Sequence, residues 1–412
     1  MKRVLYIHHA GGMGGAPLSL LYLLRLLDRT RYDPVVVTLK PGPVVTLYRA
    51  EGVETYTVSG ISDFSHTTLE WYGGRDLWRL PGKLLSIWPS IRKTRALIRQ
   101  YKPDLVHLNS STLAPCGIAC GMEGVPVVWH IREPLARGYL GLRRAWIRHT
   151  IHRYAARVVA ICHYDADQLI QSDRIRVIYN FIHFDQFDRT LSGDAVRADL
   201  GITPEAPVVI MLGGIARPKG TLILLRALPR LVEKAPDVRL VIAGPPPAPL
   251  KEPGMKGFAK RLLGVDRYQQ KVQQTLKALP ENAREAVVFT GVRTDIPEML
   301  AASTCLVFPS VAPHFARPII EAAAMGLPSV ASDLGGPREL VAHEETGLLV
   351  PPSDPEALAD ALIELLTQPE KSRQMGEAAY QRARRFHDAR QNAAETIALY
   401  TEIFSPGQTD IA

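Results

Sequence analysis

Residues 306–350 read LVFPSVAPHFARPIIEAAAMGLPSVASDLGGPRELVAHEETGLLV, and the punctuation of this stretch decides the fold. The run from Cys305 to Pro309 predicts a buried strand, and Pro318 to Met325 predicts a helix after a loop. Proline suits the first helical position, because its missing N–H would have no helical partner there. That register puts Glu321 in the first turn, beside the crevice beyond the strand ends where open α/β sheets bind ligands. Free N–H groups and the positive dipole end make such a helix start an anion site, and a neighbouring carboxylate can accept hydrogen bonds from ligand hydroxyls. The pattern alone fits equally an ordinary strand–loop–helix unit with Glu321 as a solvated acid. Residues 329–332 predict a second strand, Gly335-Gly336 a turn, and residues 347–350 a third strand.

Outward from this stretch, the same grammar fills the chain. Apolar, β-rich runs stand at 4–9, 34–40, 54–59, 105–109, 126–131, 157–162 and 176–180, spaced for crossover helices. A second series stands at 207–214, 238–244 and 286–291, ahead of the opening stretch. Continuous apolar runs of this kind predict parallel sheets covered on both faces. Two doubly wound α/β domains follow, over 1–182 and 206–386, with the polar segment between them as the joint. The 412 residues suffice for two domains of ordinary size. A helix is predicted from about Pro355 to Leu366, and a last one over 387–404.

Hydrophobic content of 46% with 7% aromatic residues suits a soluble α/β protein. Cys116, Cys120, Cys162 and Cys305 lie in apolar surroundings without CxxC pairing, which predicts reduced core thiols of a cytoplasmic protein and no metal site. Asp165-Ala166-Asp167 is read as helix capping and dipole compensation rather than a metal motif. The basic start breaks at glycines after about six apolar residues, so it reads as a strand and turn rather than a signal peptide. No run approaches the ~18 apolar residues that span a bilayer.

Charge is unevenly spread. Residues 1–185 hold 24 Lys and Arg against 14 Asp and Glu, and the remainder holds 25 against 27. The basic excess of the first half predicts an anionic partner there. It concentrates in residues 75–102, where Arg75, Arg79, Lys83, Arg92, Lys93, Arg95, Arg99 and Lys102 face one acid, Asp76. Trp78 and Trp88 lie among leucines and isoleucines there, a composition suited to an anionic membrane surface. Residues 142–157 add a second basic segment. The competing reading makes the tryptophans core and the charges a solvated face. No nucleic-acid-binding module is visible.

Candidate ligand-binding residues sit where strands end. The loop Ala10 to Ala16, AGGMGGA, lets backbone N–H groups approach a phosphate before a leucine-rich helix. His130 closes a strand and is followed by Arg132-Glu133, whereas His107, inside LVHLN, reads as a core histidine. MLGGIARPKG (211–220) brings Arg217 and Lys219 to the end of the second domain's first strand, a pairing suited to phosphate. The segment 245–268 combines proline, glycine and lysine and reads as a basic loop with a short helix.

Taken together, HIRE, VIYN, PKG, the helix carrying Glu321, the Gly-Gly turn with Glu339, and TGLLVPP resemble the retaining glycosyltransferases of family 4, over nearly the whole chain and in the expected order. The resemblance implies the GT-B fold, two Rossmann-like domains facing a cleft, with the last helix crossing back to the first domain. It implies metal-independent transfer of a sugar from a nucleotide-diphosphate sugar, without a cofactor, to a saccharide or lipid-linked acceptor. Cell-surface polysaccharide synthesis at the cytoplasmic face of a membrane is the implied setting. It carries donor binding to Gly14, Gly15, Gly214, Arg217, Lys219, Ala316, Arg317, Glu321 and Glu339, and places His130 and Glu133 beside the reacting sugar. Two positions depart from the pattern: Pro313, followed by His314, stands where the family has its first acid, and Gly214 where it has an arginine. Two rival readings stay open: a nucleotide-sugar 2-epimerase on the same fold, and a non-catalytic nucleotide-sugar-binding homologue.

Overall fold

The computed structural model describes residues 1–12, 14–64, 80–247 and 267–405. The chain divides into two compact units, one formed by Met1–His183 with the chain from Phe386 on, the other by Phe184–Arg385.

The first unit holds a seven-stranded parallel sheet: β1 (Lys2–His8), β2 (Tyr32–Thr38), β3 (Glu54–Thr57), β4 (Leu105–Leu108), β5 (Val127–Ile131), β6 (Arg157–Ala160) and β7 (Ile175–Val177). Their order is β3-β2-β1-β4-β5-β6-β7. The central strands are largely apolar because both faces are covered, whereas the edge strands β3 (ETYT) and β7 (IRV) are partly exposed. Leu5, Ile7, Val35, Val106 and Trp129 pack under the helices Ile87–Tyr101, Ala114–Glu123 and Leu142–Tyr154. On the other face Val4, Tyr6, Leu105, Val128 and Val159 meet the helices Gly15–Arg25, Pro43–Ala50 and Ala389–Phe404. The last of these is started by Asp388, whose carboxylate accepts from Arg390 N, and Ile182 bridges to Asp388 beside β7.

The second unit repeats the plan with β8 (Val208–Leu212), β9 (Arg239–Ala243), β10 (Val287–Phe289), β11 (Cys305–Phe308), β12 (Ser329–Ser332) and β13 (Gly347–Val350), ordered β10-β9-β8-β11-β12-β13. Val209, Met211, Leu240, Val307 and Val330 pack against the helices Thr221–Lys234 and Pro355–Thr367. In both sheets the order reverses beside the first strand, between β1 and β4 and between β8 and β11. These are the places where doubly wound sheets open a crevice for ligands.

Every predicted strand is present: β12 and β13 have the predicted bounds, β1 and β2 begin two residues earlier than predicted, and the other bounds shift by at most three residues. Three local expectations are corrected. The helix predicted from Pro318 begins at Arg317, so proline occupies its second position and Glu321 falls beyond the first turn. Gly335-Gly336 is no bare turn, for Gly335 leads into a short helix, Gly336–Leu340. Asp165 does not cap the helix His163–Ala166; Cys162 holds that position and Asp165 lies buried in the first turn. All four cysteines are buried, and burial pushes the thiols of Cys116 and Cys305 up to about 12. The helix expected within 245–268 lies outside the described residues.

Candidate functional site

In the second unit the site is built on the loop after β8. Gly213 and Gly214 both take left-handed backbone, with φ 94° and 68°. Gly214 is buried, and a Cβ there would meet Gly244 Cα only at 3.6 Å, so it is the left-handed backbone rather than lack of space that disfavours the arginine of the family pattern. Arg217–Lys219 form one 3-10 turn, and Pro218 O accepts from Val311 N at 2.9 Å, which ties the loop to the segment after β11. Gly220 (φ 74°) then lies on the Pro309 carbonyl, which any Cβ would overlap. So clamped, Lys219 turns back and its Nζ donates to the carbonyl of Gly213 at 2.5 Å. Burial lowers the Lys219 pKa against the opposing attraction of Glu321. Arg217, exposed, stands two residues away.

Glu321 comes from the helix Arg317–Ala324, where Arg317 Nε donates to its Oε1 at 2.8 Å, one turn apart and almost out of solvent. Buried Ala316 precedes that helix. His314 packs on Phe308 with centroids 5.2 Å apart, and its Nδ1–H donates to Ala312 O at 2.8 Å. Its pKa is lowered by burial and by the charge of Lys219. Pro313 lies on Gly335. Glu339 sits in the first turn of Gly336–Leu340, whose chain is held by Arg382 donating to Glu339 O at 2.9 Å. The structure thus brings Gly214, Lys219, Arg317 and Glu321 to one sheet edge, with a lysine ammonium and a carboxylate close enough to feel one another. Such a pairing is suited to an anionic group beside the ammonium and a hydroxyl-bearing group beside the carboxylate.

In the first unit, Gly14 precedes and Gly15 opens the helix that follows β1. The sheet edge beside them carries a polar network that sequence reasoning did not assemble. Arg132 Nε donates to Asn109 Oδ1 at 2.9 Å, and its Nη1 to Asn180 Oδ1 at 2.6 Å. Asn109 Nδ2 meets His8 Nδ1 at 3.0 Å, and Ser19 Oγ donates to Asn180 at 3.2 Å. Burial pulls the His8 pKa far down, with His9 and Arg132 adding to it. The available signal was that LVHLN and VIYN each end a strand in asparagine. Glu133 Oε1 accepts from Ser110 Oγ (2.5 Å), Ser111 N (2.8 Å) and Ser111 Oγ (2.8 Å), so its carboxylate organises the loop after β4. His130 was expected to emerge from the sheet edge; instead its side chain is 1% exposed and its Nδ1 lies 3.3 Å from His107 Nε2. His107 is a satisfied core histidine, with Nδ1 2.6 Å from Tyr400 OH.

Several basic residues counted as a surface patch are engaged. Glu123 takes Arg95 and Arg99, Lys83 donates to Asp63 O at 2.6 Å, Arg143 is buried against Phe64 O, and Arg157 pairs with Glu402. Arg75, Asp76, Trp78 and Arg79 lie outside the described residues. Among the described residues, no helix is long and apolar enough to cross a membrane, and no group of three or more His, Cys, Asp or Glu side chains is placed to hold a metal ion.

Two doubly wound parallel sheets, each with its polar side chains gathered where the strand order reverses, define a protein of the GT-B class. The chain belongs to the group 1, family 4 glycosyltransferases: the family model "Glycosyl transferases group 1" matches residues 193–382 and "Glycosyltransferase Family 4" matches 13–186. It is 29% identical over 357 residues to the alpha-maltose-1-phosphate synthase of Mycolicibacterium smegmatis, covering 76% of this chain and 86% of that one. It is 27% identical over 369 residues to D-inositol 3-phosphate glycosyltransferase 2 of Catenulispora acidiphila, covering 84% and 81%. The fold matches that of HepE from Anabaena, solved with UDP and glucose, with a TM-score of 0.75 at 22% identity over 97% of this chain and all of that one.

Proposed function

We propose that this glycosyltransferase moves a sugar from a nucleotide-diphosphate sugar to a saccharide or lipid-linked acceptor, with retention of anomeric configuration, in the assembly of cell-surface polysaccharide. The observation that carries the reading is Lys219, locked onto the Gly213 carbonyl at the β8/β11 edge within the field of Glu321. A fixed ammonium beside a helix start is suited to charge that grows on a leaving diphosphate. In this reading Lys219 and Arg217 meet the diphosphate, with the backbone of Gly214, Ala316 and Arg317 around it. Glu321 accepts from the nucleotide ribose, and Glu339 lies on the sugar side. In the first unit, Gly14 and Gly15 are the proposed donor contacts, and His130 the residue proposed to orient the sugar. Glu133 supports the β4 loop rather than the reacting atoms. No cofactor or metal ion enters the scheme. The related structure solved with UDP and glucose supports a nucleotide-sugar donor.

The acceptor reading places the protein at the cytoplasmic face of an anionic membrane. Its support is a cluster of exposed apolar side chains in the basic half: Leu84, Leu85 and Trp88 (54%, 77% and 56% exposed), with Leu140 and Leu142 nearby in sequence to the second basic segment. Leu140 also holds a left-handed φ of 57°, a strained conformation for a bulky residue. Exposed Arg92, Lys93 and Lys102 flank the first group.

Titrating nucleotide sugars and nucleotides into wild type, Lys219→Ala and Glu321→Ala tests the donor site. Each variant should lose roughly 1.5–3 kcal/mol of donor binding, the scale of a hydrogen bond to a charged group. Donor affinity unchanged in both would overturn the assignment. Incubation without acceptor separates the rivals: a 2-epimerase changes the donor sugar alone, and a binding homologue leaves it untouched.

A further inference from the structure

The loop from Pro309 to Ala316, between β11 and the helix Arg317–Ala324, carries a histidine to which the donor scheme gives no role. The loop is gripped from two sides. Val311 N donates to Pro218 O at 2.9 Å, next to Lys219, and the Pro309 carbonyl lies on Gly220. From the other side Gly335 and Gly336 press on its backbone: a Cβ on Gly335 would stand 2.8 Å from Pro313 Cβ, and one on Gly336 3.0 Å from His314 O. Between these grips the His314 ring leans on Phe308, the last residue of β11, with centroids 5.2 Å apart. The charge of Lys219 acts on that ring, and the charge of Glu321 on Lys219. His314 therefore belongs to the same edge as the pair proposed to hold the donor.

The ring has one proton order open to it. Nδ1 lies 2.8 Å from the Ala312 carbonyl, and a carbonyl only accepts, so Nδ1 carries the hydrogen. Burial and the nearby ammonium lower the His314 pKa from its ordinary 6.5, against the pull of the bond to Ala312, so the ring is neutral at neutral pH. A neutral imidazole has a single N–H, which leaves Nε2 as a lone pair. Nε2 makes no hydrogen bond among the described residues, yet it is not one of their buried, unpartnered nitrogens, so it is open to a ligand. A lone pair there accepts from a hydroxyl and has nothing to offer an oxyanion.

We propose that His314 is a specificity residue: its bare Nε2 accepts a hydrogen bond from one hydroxyl of the donor's sugar, while Lys219 alongside holds the diphosphate. A donor whose sugar lacks that hydroxyl leaves the lone pair without its partner and is disfavoured. The inference rests on the donor reading of the Lys219–Glu321 edge. It falls at the place where Pro313 interrupts the family pattern, so the discriminating group in this chain is an imidazole fixed in one tautomer and not a carboxylate.

The test combines ring spectra with donor binding in the full chain. Long-range proton–nitrogen correlation in protein labelled with nitrogen-15 histidine, assigned with His314→Ala, should show protonated Nδ1 and bare Nε2. An N–H on Nε2 in the ligand-free protein would overturn the proposal. Binding is then read by calorimetry with UDP, GDP, UDP-glucose and GDP-mannose, and with the deoxy analogues of the sugar nucleotide that binds. Wild type should bind one deoxy analogue about tenfold more weakly than the parent sugar, the scale of one hydrogen bond, and His314→Ala should bind the two alike. Two substitutions separate ligand contact from loop support. His314→Gln keeps an acceptor near the place of Nε2 and should stay within about threefold of wild type for the parent donor. His314→Asn keeps only the bond to Ala312 and should fall with His314→Ala. The reverse order, or discrimination surviving in His314→Ala, would overturn the contact. The bare nucleoside diphosphate should bind wild type and His314→Ala alike, which keeps the two readings apart. Wild type that binds neither nucleotide nor sugar nucleotide overturns the donor reading and this contact with it, whereas nucleotide binding with sugar selection indifferent to His314 overturns the contact alone.

Discussion

The Nζ of Lys219 lies 2.5 Å from the carbonyl oxygen of Gly213, six residues earlier, so the ammonium is held by the backbone of its own loop. Bond and burial together fix a charge that a free lysine would leave mobile, and lower its pKa. A bound diphosphate needs that ammonium charged. Affinity for a nucleoside diphosphate should therefore fall with rising pH earlier than an ordinary lysine, at 10.5, would allow. The parent nucleoside should show no such loss. Calorimetric titration across pH 7 to 10 checks this, and Lys219→Met should erase the difference between the two ligands.

Gly220 should be irreplaceable on structural grounds alone. Its φ of 74° costs another residue about 1–2 kcal/mol, and a Cβ would run into the Pro309 carbonyl. Gly220→Ala should lower stability by roughly 2–4 kcal/mol, read from the denaturation midpoint, and weaken donor binding by displacing Lys219. Gly12→Ala, where a Cβ meets nothing within 4 Å, is the control and should be close to neutral.

The buried histidines make the first unit acid-sensitive. His8, His107 and His130 all have folded pKa values below the ordinary 6.5, chiefly through burial. For a depressed pKa the unfolded chain binds the proton first, so stability is full above 6.5 and is lost as pH falls toward the folded value, about 3 for His107. Each group contributes a slope of up to about 1.4 kcal/mol per pH unit. Denaturation midpoints should drop between pH 7 and 5, and His107→Gln should flatten the curve.

The fold was legible in the chain because parallel strands covered on both faces are written as unbroken apolar runs. Local details failed where one residue decides them. Arg317 starts a helix that Pro318 alone seemed to start, and five residues after Gly335 coil where glycines spelled a turn. Within the site, Lys219 and Glu321 were visible because one lies in the loop between β8 and its helix and the other on the helix that follows β11. The contact between Tyr400 and His107 was not, since it spans 293 residues. The charge count misled for the same reason: Glu123 neutralises Arg95 and Arg99 from 28 and 24 residues away.

Membrane association should depend more on the exposed apolar side chains than on that charge count. Leu84→Ser, Leu85→Ser and Trp88→Ser together should abolish sedimentation with anionic vesicles, while charge reversal at Arg92 and Lys93 should weaken it by about 1 kcal/mol per residue. Equal binding to neutral vesicles, or binding unmoved by the triple change, would remove the membrane reading.

The central claim is sugar transfer with retention at the Lys219–Glu321 site. Its most direct measurement is proton NMR of the anomeric signal while a panel of nucleotide-diphosphate sugars is turned over with saccharide and lipid-linked acceptors. The account predicts a product whose first-formed anomer matches the donor, lost in Glu321→Ala and in Lys219→Ala. An inverted first-formed anomer, a donor merely isomerised, or turnover indifferent to both substitutions would contradict it.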